Sequence, residues 1–308
     1  MRIAVFGCGA MGSIYAGLLA SAGHEVIGID RNQAHVDAIN TNGLRVIGAS
    51  GDRCVAIQAY TEPPDVKVEL LVIAVKAAHV GASRAASSLV KSTGSILTIQ
   101  NGLGSADVVA GVFGYERLIV GVAQGFGASL HAPGVSHHND MKAIRMGNYR
   151  QGNSGRLNRV VGIFQTSGFD TQAVSNIEVI QWEKLICNVA YSGPCALTGL
   201  TVGEVLDDPI VGPVSRAAAV EAWEVARKRN IPVAVDDPIA YVQAFAERMR
   251  AAKPSVLLDI EAGRRSEIDV INGAVQREAM RVDTFAPVNA TITALVRSLE
   301  ERTMAKGD

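Results

Sequence analysis

Residues 7–12 read Gly7-Cys8-Gly9-Ala10-Met11-Gly12, three glycines in G-x-G-x-x-G spacing directly after an aliphatic run at residues 3–6. A turn of this kind can hold a phosphate anion. Gly7 permits the tight turn, Gly9 lets main chain approach a pyrophosphate, and Gly12 lets the next helix lie close to the strand, while the helix start offers unpaired N–H groups. A second aliphatic run, residues 25–29, leads to Asp30, about 20 residues beyond the glycines, where an acidic side chain receives the ribose hydroxyls of a dinucleotide. Arg31 follows it. A carboxylate repels the 2′-phosphate of NADP whereas an arginine pairs with it, so these two neighbours point to different cofactors and leave the choice balanced.

Three further groups have chemistry to offer. Lys76 and Asn101 each follow a strand-like run, at residues 70–75 and 95–99, and so fall on the rim where open α/β sheets bind ligands. Lys76 can meet phosphate or ribose; Asn101 can bridge cofactor and substrate, or simply form an Asn-Gly turn. Farther along, Lys184, Asn188 and Ser192 are spaced one helical turn apart within an apolar stretch. Burial lowers a lysine pKa, which suits it to donate a proton to a carbonyl oxygen as hydride reaches the carbon. The competing reading is a lysine that snorkels to solvent beside an asparagine that packs.

The elements that must position these groups follow from periodicity. Strand-like runs at residues 3–6, 25–29, 70–75, 95–99 and 118–122 alternate with amphipathic segments at 11–22 and 34–40 and with helix-like stretches after residues 75 and 99. This pattern is βαβ order and predicts a doubly wound parallel sheet, the Rossmann arrangement. Residues 123–147 are richer in glycine and histidine and predict antiparallel strands closing the sheet edge. A helix at 157–166 and a strand at 169–174 complete this half. Long helical periodicities then take over, at 209–229, 238–250 and 288–300. Ser175 and Glu178 form a capping box that starts a helix, which Gly193-Pro194 is expected to end. The fold class is therefore α/β, with a dinucleotide-binding Rossmann domain over 1–174 and a mainly α-helical domain over 175–308.

Bulk properties narrow the partners. With 308 residues and 48% hydrophobic content the chain can fill two cores. Lysine plus arginine (29) balances aspartate plus glutamate (30), which gives none of the basic excess of a nucleic-acid or membrane-surface binder, so a small-molecule partner is expected. No apolar run reaches the roughly 20 residues of a membrane span. Gly7, Gly9 and Gly12 interrupt the N-terminal apolar stretch before it could serve as a signal sequence. Cys8, Cys54, Cys187 and Cys195 show neither a CxxC pair nor zinc-ligand spacing, which fits a reducing, cytoplasmic setting. His137-His138-Asn139-Asp140 clusters groups able to bind a metal, but without ligand spacing on a helix it reads as a polar edge strand, and no metal is expected. Amphipathic helices in the second half could serve a homodimer or that domain's own core.

The chain resembles the ketopantoate reductase (2-dehydropantoate 2-reductase) family over essentially its whole length. The matching blocks are the Gly7 to Gly12 loop, Val75-Lys76, Gln100-Asn101-Gly102 and Trp182-Glu183-Lys184-Leu185 continuing to Asn188. The most specific block is Ser255 and Asp259 with Gly263-Arg264 and Ser266-Glu267-Ile268-Asp269. The resemblance implies reduction of a 2-keto acid, 2-dehydropantoate to pantoate in pantothenate biosynthesis, with NADP(H) as usual cofactor and Lys184 as general acid. It assigns Lys76 and Asn101 to the cofactor, Asn101 also to substrate, Asn188 and Ser255 to substrate, and Glu267 to the reacting centre and nicotinamide ribose. A salt bridge from Arg264 or Arg265 to Glu267 or Asp269 is the structural alternative.

Two departures bear on substrate. Ser192-Gly193 stands where ketopantoate-reducing members commonly have Asn-Pro, and Val202-Gly203 stands where Asn-Gly is often found. A substrate hydroxyl left unpaired there costs about 1–3 kcal/mol. Together with Asp30, which admits NAD(H), these residues favour an alternative within the fold, an NAD-dependent D-2-hydroxyacid dehydrogenase acting on another 2-keto acid. The β-hydroxyacid dehydrogenases share the glycine loop and a Lys-x-x-x-Asn helix but not the 266–269 block. A non-catalytic nucleotide-binding redox sensor would have no use for lysine, asparagine and glutamate together.

Overall fold

The computed structural model describes residues 1–125, 127–140, 143–150 and 154–305; parts of the expected edge-closing segment and the end of the expected second domain lie outside these. The chain divides into two compact units. One is Met1–Gln100 with Ser105–Ile177, the other Asn101–Gly104 with Glu178–Asp308.

In the first unit the strands are β1 (Arg2–Phe6), β2 (Glu25–Ile29), β3 (Leu44–Gly48), β4 (Arg53–Val55), β5 (Gln58–Tyr60), β6 (Val68–Ile73), β7 (Val90–Thr98), β8 (Leu118–Gln124), β9 (Gly127–Ala132), β10 (Val135–Asp140), β11 (Ala143–Asn148) and β12 (Thr171–Ala173). Its helices are α1 (Ala10–Ser21), α2 (Gln33–Asn42), α3 (Ser105–Phe113) and α4 (Gly155–Thr166), with a 3-10 stretch at Ala77–Leu89. Eight strands form one sheet in the order β12-β11-β8-β7-β6-β1-β2-β5. From β8 to β5 every neighbouring pair is parallel. Ile3, Ala4 and Val5 on β1 and Leu70 to Ile73 on β6 are fully buried, as expected of parallel strands covered on both faces. The chain runs outward from β1 through β2 and returns to the other side of β1 as β6, so the strand order reverses between β1 and β6. The loops leaving these two strands therefore flank the switch point at which such sheets bind ligands. This is the expected doubly wound α/β architecture.

The expected edge-closing antiparallel segment forms differently. Only β11 joins the main sheet in antiparallel fashion, against β8, and β12 then adds parallel outside it. Strands β9 and β10 instead enter a separate sheet of order β4-β3-β10-β9. The cause is β3, a strand that periodicity alone misses. Its Leu44 and Val46 are buried, Val46 lies where α1 presents Gly17, and β10 pairs in parallel with β3 over residues 45–48. His137 and His138 consequently lie on a strand paired on both sides, not on a polar edge strand, while the β3 pairing ends before Asn139 and Asp140.

The second unit is helical: α5 (Ile177–Thr198), α6 (Val202–Asp207), α7 (Val211–Lys228), α8 (Pro238–Arg248), α9 (Ser255–Glu261), α10 (Asn272–Met280) and α11 (Pro287–Met304), with a short 3-10 turn at Ile268–Val270. Trp182, Leu185, Ile186, Val189 and Ala190 of α5 sit in its core with Ala218, Ala222, Val256, Val275 and Val296. Helix α5 does not end at Gly193-Pro194 but runs on to Thr198. A proline inside a helix removes one N–H and costs about 3 kcal/mol. Packing offsets that cost here. The absent side chain of Gly193 admits Ile292 of α11, and Asn272 of α10 donates to the Val189 carbonyl at 3.0 Å, one residue before the carbonyl that Pro194 leaves without its helical donor.

Candidate functional site: a dinucleotide turn and a lysine–asparagine–glutamate cluster

Gly7 has φ +93°, and a Cβ there would lie 2.5 Å from the Val75 nitrogen. A Cβ on Gly12 would lie 2.0 Å from the Gly7 carbonyl oxygen. Neither position tolerates a side chain, so the turn is built on main chain alone. Gly9 differs, because a Cβ there would meet only the Asp30 carboxylate, at 3.6 Å, which leaves an open cradle over the turn and the start of α1. The N–H groups of Gly7 and Cys8 both donate to the Ile29 carbonyl, which ties the turn to the end of β2. Asp30 follows that strand directly, with Oδ1 accepting from the Asn32 N–H at 3.0 Å. Arg31 is exposed. The donor-rich turn, open cradle and adjoining carboxylate fit the pyrophosphate and ribose of a dinucleotide. Cys8 plays no nucleophilic part, since burial pushes its thiol up to about 12. Lys76 is exposed just beyond β6. Its segment is held by Gln100, whose amide donates to the carbonyls of Ile73 and Val75 at 2.7 and 3.0 Å.

The second unit brings together residues far apart in sequence. Asn101 to Gly104 belong to it because Leu103 is part of its core and donates its N–H to the Val270 carbonyl at 2.9 Å. At Gly102 (φ +73°) a Cβ would fall 1.9 Å from that same oxygen. Asn-Gly is thus more than a turn, since only glycine fits against the 268–270 segment. Asn101 is thereby held beside α5. Its Oδ1 accepts from Lys184 Nζ at 2.8 Å and its Nδ2 donates to Glu267 Oε2 at 3.2 Å. Each end of the amide faces the partner it requires, an ammonium for the oxygen and a carboxylate for the nitrogen.

Burial lowers the Lys184 pKa to about 8, and the Glu267 carboxylate opposes that shift. The outcome is an ammonium poised close to neutrality, able to give up a proton and regain it. Asn188 is half-buried one turn beyond Lys184, and Ser192 is buried a turn farther on. Ser255 is exposed at the first residue of α9. Val202, one of the two departures from the family pattern, is buried in the apolar core.

Arg264, one of the two arginines considered for Glu267 or Asp269, has a different carboxylate partner. Arg264 binds Asp259 at 3.0 Å and Arg297 binds Asp269 at 2.5 Å, while Glu267 engages Asn101. Sequence reasoning missed Glu300. It accepts from the Ser266 N–H and hydroxyl at 2.9 and 2.5 Å and so fixes the residue before Glu267. The available signal was its place on the apolar stripe of the last helix, in step with Ile292 and Val296.

Known proteins match both parts of the chain. Residues 3–151 fit the family model described as ketopantoate reductase PanE/ApbA, and residues 176–300 fit that family's C-terminal model. The 2-dehydropantoate 2-reductase of Pyrococcus abyssi is 31% identical over 97% of this chain and 98% of its own length, and that of Halobacterium salinarum is 29% identical over 96% and 98%. Among solved structures, a PanE/ApbA family ketopantoate reductase from Ralstonia eutropha superposes with a TM-score of 0.90 at 29% identity, covering 98% of this chain and 99% of that one. The ternary structure of D-mandelate dehydrogenase with NADH and anilino(oxo)acetate has a TM-score of 0.89 at 24% identity with the same coverage, a likeness of fold. Two family models spanning both units and full-length relatives at this level of identity establish that the chain belongs to the ketopantoate reductase family of oxidoreductases.

Proposed function

We propose that the protein reduces a 2-keto acid to a 2-hydroxy acid, with Lys184 as the general acid. The observation that carries this reading is the bond from Lys184 Nζ to Asn101 Oδ1, in a setting that lowers the ammonium pKa to about 8. A nicotinamide cofactor held by the glycine turn would supply a hydride to the keto carbon. Lys184 gives its proton to the keto oxygen, which becomes the hydroxyl, and recovers a proton from solvent. Asn101 fixes the direction of the Nζ group, and the negative charge of Glu267 keeps it protonated between turnovers. Asn188, Ser192 and Ser255 bind the substrate, Ser255 near its carboxylate.

Gly7, Cys8, Gly9, Ala10, Met11 and Gly12 would hold the pyrophosphate, Asp30 the adenosine ribose, Lys76 phosphate or ribose, and Asn101 and Glu267 the nicotinamide end. Family membership points to NADP(H). Asp30 points the other way, because its carboxylate borders the cradle at Gly9 and would repel a 2′-phosphate, while Arg31 stays exposed. NADP(H) remains the cofactor favoured by family membership, with NAD(H) admitted by Asp30. Ketopantoate is the substrate that full-length relatives support. A second reading, another 2-keto acid whose side chain lacks a hydroxyl, is favoured by the short Ser192 on the face of Lys184 and Asn188, whereas Val202 is taken up by the core. NADH and NADPH oxidation measured with ketopantoate and a panel of branched and aromatic 2-keto acids decides both questions. Turnover with no 2-keto acid, despite tight cofactor binding, would reject the reductase in favour of a nucleotide-binding sensor.

A further inference from the structure

The glycine turn has a support behind it that neither its motif nor the proposed reaction includes. His35, in the first turn of α2, is fully buried and lies among three partners of the first unit. The Gly134 N–H, in the turn between β9 and β10, donates to His35 Nδ1 at 2.9 Å. That bond requires a bare Nδ1, so the ring is neutral and its proton sits on Nε2. Nε2 lies 2.9 Å from the Cys8 carbonyl oxygen and 3.2 Å from Ser13 Oγ, and the Ser13 hydroxyl also donates to the Cys8 carbonyl at 3.0 Å. Two buried donors therefore converge on a single peptide oxygen in the middle of the G-x-G-x-x-G loop. A third tie lies close by, where Ser136 of β10, also fully buried, donates to the Ala10 carbonyl at 2.8 Å.

Geometry turns these ties into a consequence for ligand binding. In a trans peptide the carbonyl and the N–H that follows it point in opposite directions, and none of the described peptide bonds is cis. Holding the Cys8 oxygen back toward His35 and Ser13 aims the Gly9 N–H the other way, off the rear of the turn. Holding the Ala10 oxygen does the same for the Met11 N–H. These are N–H groups through which such a turn receives an anion. Glycine freedom would otherwise let the Cys8–Gly9 peptide rotate, and the anion would then have to bear the cost of ordering it.

We infer that His35 is a positioning residue for the pyrophosphate turn, acting with Ser13 and with the β9–β10 hairpin through Gly134 and Ser136. The inference rests on the dinucleotide reading above. It also gives the second sheet a function: the hairpin that leaves the main sheet supplies the rear brace of the cofactor loop.

The test compares binding with turnover. His35→Ala should weaken NADH and ADP-ribose binding by roughly 10-fold, the effect of a buried carbonyl losing one of its two donors, with a clearly smaller change in kcat at saturating cofactor. His35→Gln, which can present a carbonyl to Gly134 and an N–H to Cys8, should restore most of that affinity. Ser136→Ala should act in the same direction to a smaller degree, and it serves as the test if the alanine variant at 35 does not fold. A folded His35→Ala protein that binds both probes like wild type overturns the inference, as does a glutamine variant no better than alanine. Wild type that binds neither NADH nor NADPH overturns the dinucleotide reading, and this inference with it.

Discussion

The glycine turn and the lysine cluster are built on opposite principles. In the first, space is the constraint, because at Gly7 and Gly12 an added methyl would collide with main chain, at 2.5 and 2.0 Å. In the second, charge is the constraint, with an ammonium, an amide and a carboxylate linked in a row and the lysine pKa set by the balance of burial against Glu267. A turn made of main chain tolerates almost any change that adds no atoms. A cluster made of side chains tolerates small shifts but no change of charge or proton capacity. The two regions should therefore fail in different ways.

The sharpest separation is Lys184→Ala. Loss of a general acid should lower turnover by about 10²–10⁴-fold while NADH affinity stays within about two-fold of wild type. Single-turnover reduction followed by NADH absorbance, alongside equilibrium binding, reads both quantities. Unimpaired turnover would remove lysine from the mechanism and leave only the glycine turn with a role.

Next come two glycine variants, chosen because both are steric yet belong to different regions. Gly12→Ala should abolish measurable cofactor binding, as the helix start cannot approach the Gly7 carbonyl. Gly102→Ala should instead lower cofactor affinity far less than Gly12→Ala and reduce kcat by roughly 10²-fold, the effect of misplacing a catalytic group by about 1 Å, because the Val270 oxygen forces Asn101 off Lys184. Equal losses of affinity in both variants would mean that the two regions are not separable in the way their geometry suggests.

The legibility of these regions in sequence follows from the same contrast. The turn spans six consecutive residues plus Asp30, so spacing after a strand is enough to identify it. The lysine cluster joins positions 101, 184 and 267. Sequence periodicity identifies Lys184 and Asn188 as neighbours, but Asn101 and Glu267 reach them only through folding, and here the family resemblance supplied what spacing could not. The misread elements also have a common cause. Residues 44–60 carry three short strands that periodicity misses, and without β3 nothing signals that β9 and β10 leave the main sheet. Pro194 reads locally as a stop, yet Asn272 and Ile292, distant in sequence, carry α5 past it. In each case a tertiary partner overrode a local preference.

A pH profile sharpens the comparison without any substitution. Reduction needs Lys184 protonated, so kcat/KM should be flat below about pH 8 and fall roughly ten-fold per pH unit above it, while oxidation of the hydroxy acid should rise through the same range. The cofactor turn relies on main chain and should contribute no break there. A profile for NADH binding that bends with turnover near pH 8 would place the titrating group in the wrong region.

The smallest expected effect is on stability. The Lys184 pKa is about 8 in the folded protein against 10.5 ordinarily, so the unfolded chain holds that proton more tightly. Folding stability therefore falls as pH drops from above 10.5 to 8, and the deficit stays constant at lower pH. Lys184→Met keeps the length of the side chain and removes the deficit, though it leaves Asn101 Oδ1 without its donor. The difference in melting temperature, variant minus wild type, should thus shift in favour of methionine by about 2–4 °C for each 1 kcal/mol of strain relieved on going from alkaline to neutral pH. The glycine turn runs the other way, because burial pushes the Cys8 thiol up to about 12 and its contribution is lost as pH rises, equally in variant and wild type. A difference between variant and wild type that stays constant from pH 10.5 to pH 7 would show that lysine burial carries no penalty, and the poised ammonium would then lose its physical basis.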